Sequence, residues 1–431
     1  MAALVPMLAG VASAQQVGPG QSAAPSVPGS PTPVCPSSGP PSGPVPSPIS
    51  MPEDFRFGVL DQVWQQIQEQ YVDPQLHGLD WDGIKADYDE RMLNTFDARE
   101  AYQNVSDMVA LLEDPDTVFV SVLDLEASAL DPTYGGIGVL VDSTAAQDPA
   151  TGLRIVYVFP GSPALAAGLK PRDVILAVEG DPCARPEIIR GPVGTGVSLT
   201  VRSPGEEPRT VEVDRQRIAP SYVVTPERVP DRPRFGYLRI LSMAGDSADQ
   251  VEAALTSLVD QGDLSGLVLD LRHASAGELE VTRRILGSFI GGEVATLMGH
   301  DGPTPFVVEA GPLRDRLRDV PVAVLVDQGT DGEAERLAAL LQSERDAVVV
   351  GQQTPGHTQI VTQTTLPEGS ILQLVVGNML LSDGTRLEGH GVIPDIVQED
   401  DWLAQPADED TWVRAAVREL RRSVQGSEAP E

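Results

Sequence analysis

The chain has 431 residues, long enough for two or three domains that each bury a core of their own. Lys and Arg total 30 against 63 Asp and Glu, a formal charge of −33, so the field around the molecule repels phosphate backbones and anionic lipid and argues against nucleic acid as a partner. Only Lys85 and Lys170 are lysines, and the two cysteines, Cys35 and Cys183, are too few for a disulfide framework or metal cluster and read as free thiols.

The N-terminal run MAALVPMLAGVASAQQ is apolar and meets the small residues Ala12-Ser13-Ala14, so residues 1–14 are expected to be an export signal with a truncated charged end. Residues 15–52 are Pro, Gly and Ser with little to bury, a disordered linker. From 53 to 118 apolar residues recur at helical spacing (Val59, Val63, Ile67; Tyr102, Val105, Met108, Val109, Leu112), which predicts a small helical subdomain. Between 119 and 218 the pattern changes to short β-branched runs, IGVLV, RIVYVF, DVILAV, VSLTV and TVEV, separated by Gly and Pro, as one β-rich module would require.

From 219 to 403 strands and helices alternate: GYLRIL, a helix from Ser247 to Val259, GLVLDL, a helix from Leu279 to Ile290, VAVLV, a helix from Glu333 to Ser343, and AVVVG. Apolar strands between amphipathic helices predict a mixed α/β layer whose strands are buried on both faces. Residues 404–431 contain a C-terminal surface helix with acids first and arginines last, packing Trp412, Val413, Ala416, Val417 and Leu420. No later run reaches the roughly 18 apolar residues of a membrane span, so no transmembrane anchor is expected in the mature chain, and the export signal predicts an extracellular or periplasmic/cell-envelope protein.

YGGIGVLV, VFPGSPALAAGLKPRDVILAVEG and IIRGPVGTGVSLTVRSPG together resemble the PDZ domain embedded in bacterial carboxyl-terminal processing peptidases. Gly135, Gly136, Ile137 and Gly138 can form a loop of converging amides suited to a peptide C-terminal carboxylate, with Val139 opening the strand on which the peptide would add. These same glycines could instead make only a tight turn. The expected partners are peptide or protein C-termini.

The resemblance extends through YVDP, LLEDPDTVFVS, FGYLRILSMAGDSADQVEAAL, GLVLDLR, VAVLVDQG, VVVGQQTPG and DGTRLEGHGVIPDIV, in that order, to the carboxyl-terminal processing (tail-specific) proteases, serine peptidase family 41. It implies a ClpP/crotonase-like α/β peptidase core with an inserted PDZ domain and an N-terminal helical subdomain. Such enzymes pair a serine with a lysine, because a hydroxyl needs an adjacent base and a lysine becomes one in a dry pocket. Aligning QGTDGEAE with the family block GSASASE places Gly332 at the serine, and TPGHT places His357 at the lysine, with no gap between them. The supporting glutamine falls on Val361, and the family's DPHT reads Asp114-Pro115-Asp116-Thr117. The oxyanion block, DLRNNPGG in the family, reads DLRHASAGE and keeps only Gly277 of the glycine pair.

A rebuilt site would need His357 as base and Thr330 or Ser275 as nucleophile, but Thr330-Asp331-Gly332-Glu333 reads as a capping box and Ser275 as a loop residue. His77, His273, His300 and His390 lack the spacing of metal ligands, so neither metal nor other cofactor is expected. Three functions stay open. The favoured one is a catalytically inactive, peptide-binding relative of the proteases; the others are an active serine-type endopeptidase with a non-standard site and a structural envelope protein. Oligomeric state is not legible.

Overall fold

The computed structural model describes residues 52–128, 134–142, 152–218, 226–229, 232–275, 277–405 and 410–427. The expected export signal (1–14) lies outside these residues, as does the linker (15–52) apart from Pro52.

The helical spacing of 53–118 produces α1 (Glu53–Gln70), α2 (Trp81–Leu93) and α3 (Ala98–Ala110). Asp80 and Asp97 start α2 and α3 by accepting the amides of Gly83 and Arg99, the role a short acceptor side chain serves at a helix N-terminus. Val59, Leu60, Val63 and Ile67 of α1 meet Tyr102, Val105, Met108 and Val109 of α3 in one buried cluster. A short strand, β1 (Val118–Val120), and α4 (Val122–Ser128) follow.

The β-rich module contains β2 (Tyr134–Gly135), β3 (Val139–Val141), β4 (Leu153–Val158), α5 (Pro163–Ala166), β5 (Val174–Val178), α6 (Pro186–Ile189), β6 (Gly191–Pro192), β7 (Gly196–Arg202) and β8 (Arg209–Asp214). Its main sheet runs β3-β4-β5-β7-β8, antiparallel throughout, which leaves β3 at an edge. Alternate residues Val197, Leu199 and Val201 face inward onto Ile155 and Ile175. Cys183, just before α6, is disulfide-bonded, which corrects the expected free thiol. The other cysteine of the sequence, Cys35, lies outside the described residues.

The remaining chain runs β9 (Glu227–Val229), β10 (Arg232–Arg239), α7 (Ser247–Asp260), β11 (Gly266–Asp270), α8 (Leu279–Leu286), β12 (Gly292–Gly299) and β13 (Gly302–Val308). Then come α9 (Arg314–Leu317), β14 (Val322–Val326), α10 (Glu333–Arg345), β15 (Val348–Gly351), β16 (Ile360–Thr365), β17 (Ile371–Leu381), β18 (Ile396–Val397) and α11 (Thr411–Ser427). Helix α8 stops short of the expected Ile290 because the Gly287 carbonyl accepts from Gly311 N at 2.7 Å and the chain turns away.

One sheet has the order β18-β15-β14-β11-β10-β9, parallel except for β9. Strands β11 and β14 are buried at every residue, as the sequence predicts for strands covered on both faces. Leu267, Leu269, Val322, Val324 and Val326 pack with residues of α7, α8 and α10, and Val268, Ala323 and Leu325 pack on the other face with Trp412, Ala416 and Leu420 of α11. A second sheet, β1-β17-β12-β13 with β16 on β17, lies beside it. At the boundary drawn from sequence between the helical region and the β-rich module, β1 pairs with β17, and Val122 and Leu123 pack against the cluster of the helical region. Leu366, Leu372, Leu374 and Val375 close the cluster of α1 and α3, so the helical region shares its core with strands from the far end of the chain.

Among the described residues no helix is long and apolar enough to cross a membrane. Trp412 is wholly buried against the central strands. Trp412→Ala should therefore cost about 3–5 kcal/mol of stability, seen as a lower urea midpoint without a change in slope.

Candidate active site

The carboxyl ends of β11, β14 and β15 face one side of the parallel sheet, where α/β proteins commonly present loops to a ligand. The loops 271–278, 327–332 and 352–359 converge there. Gly332 ends the middle loop as the N-cap of α10, with φ 60° and ψ −115°. That conformation is open to glycine and strained for any residue with a Cβ. A Cβ at this point would nevertheless meet nothing closer than the His357 carbonyl, 3.8 Å away, so crowding does not exclude a side chain.

Glu335, one turn into α10, is fully buried. Its carboxylate accepts from Gly332 N (3.1 Å), His357 N (2.9 Å), Gly356 N (2.6 Å) and Thr354 Oγ1 (2.5 Å). Burial pushes the carboxyl above its usual range, and the donors oppose that rise. The glutamate thus ties the two positions that the resemblance aligns with nucleophile and base onto one group.

The capping box expected at Thr330 does not form. Gly332 is the N-cap, and only the Glu335 half of such a box exists, because glycine has no side chain to reciprocate. The Thr330 hydroxyl is directed inward: it accepts from Asp327 N at 2.9 Å and lies 2.9 Å from Leu271 O and 3.1 Å from Asp327 Oδ1. Fully buried with its partners in place, it is a structural hydroxyl. Ser275 is exposed on the 271–278 loop and makes no hydrogen bond with His357 among the described residues.

His357 is about two-thirds exposed, with Nδ1 3.1 Å from Asp331 Oδ1. The hydrogen bond to Asp331 lifts its pKa to about 9 against partial burial, with further help from Asp331, Glu335 and Asp116. At neutral pH it is an imidazolium with no lone pair to take a proton. Asp116 shares this acidic field: burial, Asp114 and Asp331 raise its carboxyl pKa, while His357 opposes them.

Gly277 bridges to Met243, and a Cβ there would stand 2.8 Å from the Cβ atoms of Glu333 and Met243, so this glycine packs against the start of α10. Ala276 is outside the described residues. Val361, at the expected glutamine position, lies on β16 and packs against the apolar cluster of the helical region.

The candidate peptide-binding residues surround the turn into β3. Gly136 exchanges both backbone hydrogen bonds with Gln216, so its amide is occupied and the expected set of four converging amides is reduced. Ile137 N and Gly138 N have no acceptor among the described residues, while their carbonyls accept from Ala164 N (2.9 Å) and Phe159 N (3.0 Å). Gly138 has φ 82°, and a Cβ on it would lie 2.3 Å from that of Ser162. Gly135 lies in β2 and Val139 begins β3.

Two residues were undervalued by sequence. Glu335 stands three residues after Gly332, a spacing that is the signal of half a capping box. His273, which lacks metal-ligand spacing in the sequence, is enclosed between Asp142 and Asp327. His77 Nδ1 and His300 Nδ1 contact the carbonyls of Leu112 and Tyr71 in the helical region, and His390 is exposed.

Residues 234–398 match peptidase family S41, and residues 52–109 match the tricorn protease C1 domain. A carboxyl-terminal-processing protease of Picosynechococcus sp. is 30% identical over 352 residues, spanning 79% of this chain and 82% of the relative. The chloroplastic carboxyl-terminal-processing peptidase 2 of Arabidopsis thaliana is 27% identical over 359 residues, spanning 78% and 67% respectively. The solved photosystem II D1 C-terminal processing protease matches in fold, with a TM-score of 0.57 at 22% identity over 80% of this chain and 93% of that one. The architecture is therefore that of an S41 protease, a mixed α/β fold with a helical N-terminal region. The chain belongs to the carboxyl-terminal processing proteases of peptidase family S41.

Two outcomes follow from this geometry. In an NMR titration His357 should lose its proton near pH 9, so what its pair with Asp331 adds to stability is complete below about 6.5 and disappears as pH rises through 9; Asp331→Asn should return the titration toward 6.5. Glu335→Ala leaves buried amides without an acceptor and should cost about 3–5 kcal/mol in urea unfolding, with faster amide exchange across 354–358.

Proposed function

We propose that this family member is exported and holds peptide or protein C-termini through a PDZ module without cutting them. The carrying observation is Gly332, which occupies the turn before α10 with room for a side chain and no hydroxyl. His357 at the aligned base position is held protonated by Asp331. Lys85 is paired with Asp61 (2.7 Å) and Asp89 (2.6 Å) on the helical region, and Lys170 belongs to the β-rich module, so neither lysine stands in as base.

The edge position of β3, with the amides of Ile137 and Gly138 just before it having no acceptor among the described residues, suits a peptide that adds as a strand and places its carboxylate on the turn. The disulfide at Cys183 favours an oxidising compartment, in keeping with export. An active endopeptidase with a non-standard site is disfavoured, because Thr330 is buried with its hydroxyl engaged and His357 is an imidazolium.

The test is a casein cleavage assay. The natural chain should show no turnover and no labelling by a serine-directed phosphonate, whereas the double variant Gly332→Ser, His357→Lys should gain both. The backbone strain at 332 should make that variant about 1–3 kcal/mol less stable. Cleavage by the natural chain that His357→Ala abolishes would overturn the reading. In calorimetry, peptides with free C-termini should bind the full chain at least about tenfold more tightly than their C-terminal amides.

A further inference from the structure

We propose that His273 is the pin that docks the β-rich module on the α/β core, and that the docking is released when its imidazole ring is neutral or absent. The inference stands whether or not the module binds peptide.

His273 follows the carboxyl end of β11 and is 12% exposed. Its Nδ1 lies 2.6 Å from Asp327 Oδ2, at the end of β14 in the core. Its Nε2 lies 3.2 Å from Oδ1 of Asp142, at the end of β3 in the module, off the line of a hydrogen bond but well within ion-pair range. Asp142 is wholly buried and Asp327 nearly so. One ring therefore spans the junction between two buried carboxylates.

Each carboxylate also has a partner on its own side. Asp142 receives Arg154 Nη2 at 2.6 Å from β4. Asp327 accepts from His273 N (2.9 Å), Gly329 N (3.0 Å) and Trp402 Nε1 (3.0 Å). The imidazolium is the element they share. A neutral imidazole carries one N–H, and the shorter contact to Asp327 keeps it on Nδ1. The Nε2 lone pair would then face the Asp142 carboxylate, turning an attraction into a repulsion on the module side alone.

The other charged groups around the ring do not replace this contact. Arg154 also pairs with Asp401, a second contact across the junction that lies at its exposed rim, where Asp401 and Glu399 line a cavity of about 200 Å³ beside His273. Neighbouring Arg272 is committed to Asp270 and Asp410. Elsewhere across the junction Val156 and Leu140 pack on the Trp402 cluster, and Arg172 reaches Asp410 at 3.0 Å and Gln405 O at 2.5 Å. Burial opposes the charge on His273, but its two carboxylates outweigh that and hold the pKa at about 9. Because the folded value is raised, the contribution to docking is complete below about 6.5 and is lost as pH rises through 9.

The test is made on the full chain by NMR titration of the histidine rings and by amide exchange at a pH of about 7. His273 should titrate near 9, and Asp142→Asn should lower that value by about one unit or more. His273→Gln should speed exchange in residues 139–142, 153–158 and 401–405 by about tenfold or more while 322–326 stay protected. Titration of His273 near 6.5, or exchange at the junction unchanged in a folded His273→Gln, overturns the proposal. Should that variant lose protection throughout, Asp142→Asn decides: an unmoved His273 titration overturns the pin, and a lowered one supports it.

Discussion

The buried carboxylate of Glu335 organises the face of the sheet on which any chemistry of this fold would take place. Three of its four donors are backbone amides, at Gly332, Gly356 and His357, and the fourth is the Thr354 hydroxyl. Backbone amides are indifferent to the side chains they carry. The clamp can therefore survive a glycine at 332 and a histidine at 357, and the loops keep their relative positions whatever chemistry the side chains offer. Thr354 extends the clamp by accepting from Val392 N at 2.7 Å, which draws the 387–391 loop onto the same site.

On our proposal, the residues at that site account for a protease scaffold without a protease's reactivity. Nucleophilic catalysis needs an unprotonated base against a hydroxyl. Here Asp331 keeps His357 charged, Thr330 spends its hydroxyl on the 327–330 turn, and Gly332 contributes only backbone. The field around the turn, with Asp116, Asp331 and Glu335 close together, favours a resident cation over a basic lone pair. On our proposal, the peptide-holding function moves from this face to the edge of β3.

A chain so acidic places its few cations with care. Arg272 and Arg336 are buried, and Arg239 and Arg172 nearly so, each over the Trp402 ring or beside an acid. The planar guanidinium can stack and bond at once, which an ammonium cannot, in keeping with arginine's dominance over lysine here. Arg272 and Arg239 hold Asp270 ionised despite complete burial, and Arg272 carries the network on to Asp410 at the start of α11. The C-terminal helix, the central sheet and the β-rich module are thereby joined through polar contacts as well as the apolar ones of Trp402 and Trp412.

Much of this was legible in one dimension. Period-2 and period-3.6 patterns reflect which faces are buried, so the strands β11 and β14, the helices α7 and α10 and the order of segments could be read directly, as could the spacing that sets Gly332 and His357 against the family motif. What remained hidden depends on groups distant in sequence. The pairing of β1 with β17 joins residues about 250 apart; the bond at Cys183 left no local trace; Gly136 is occupied by Gln216. The inward turn of Thr330, the charge on His357 and the enclosure of His273 between Asp142 and Asp327 were likewise decided by tertiary structure alone. Local patterns encode burial, whereas hydrogen-bond partners and protonation states follow from which distant carboxylates and carbonyls the fold brings within about 3 Å.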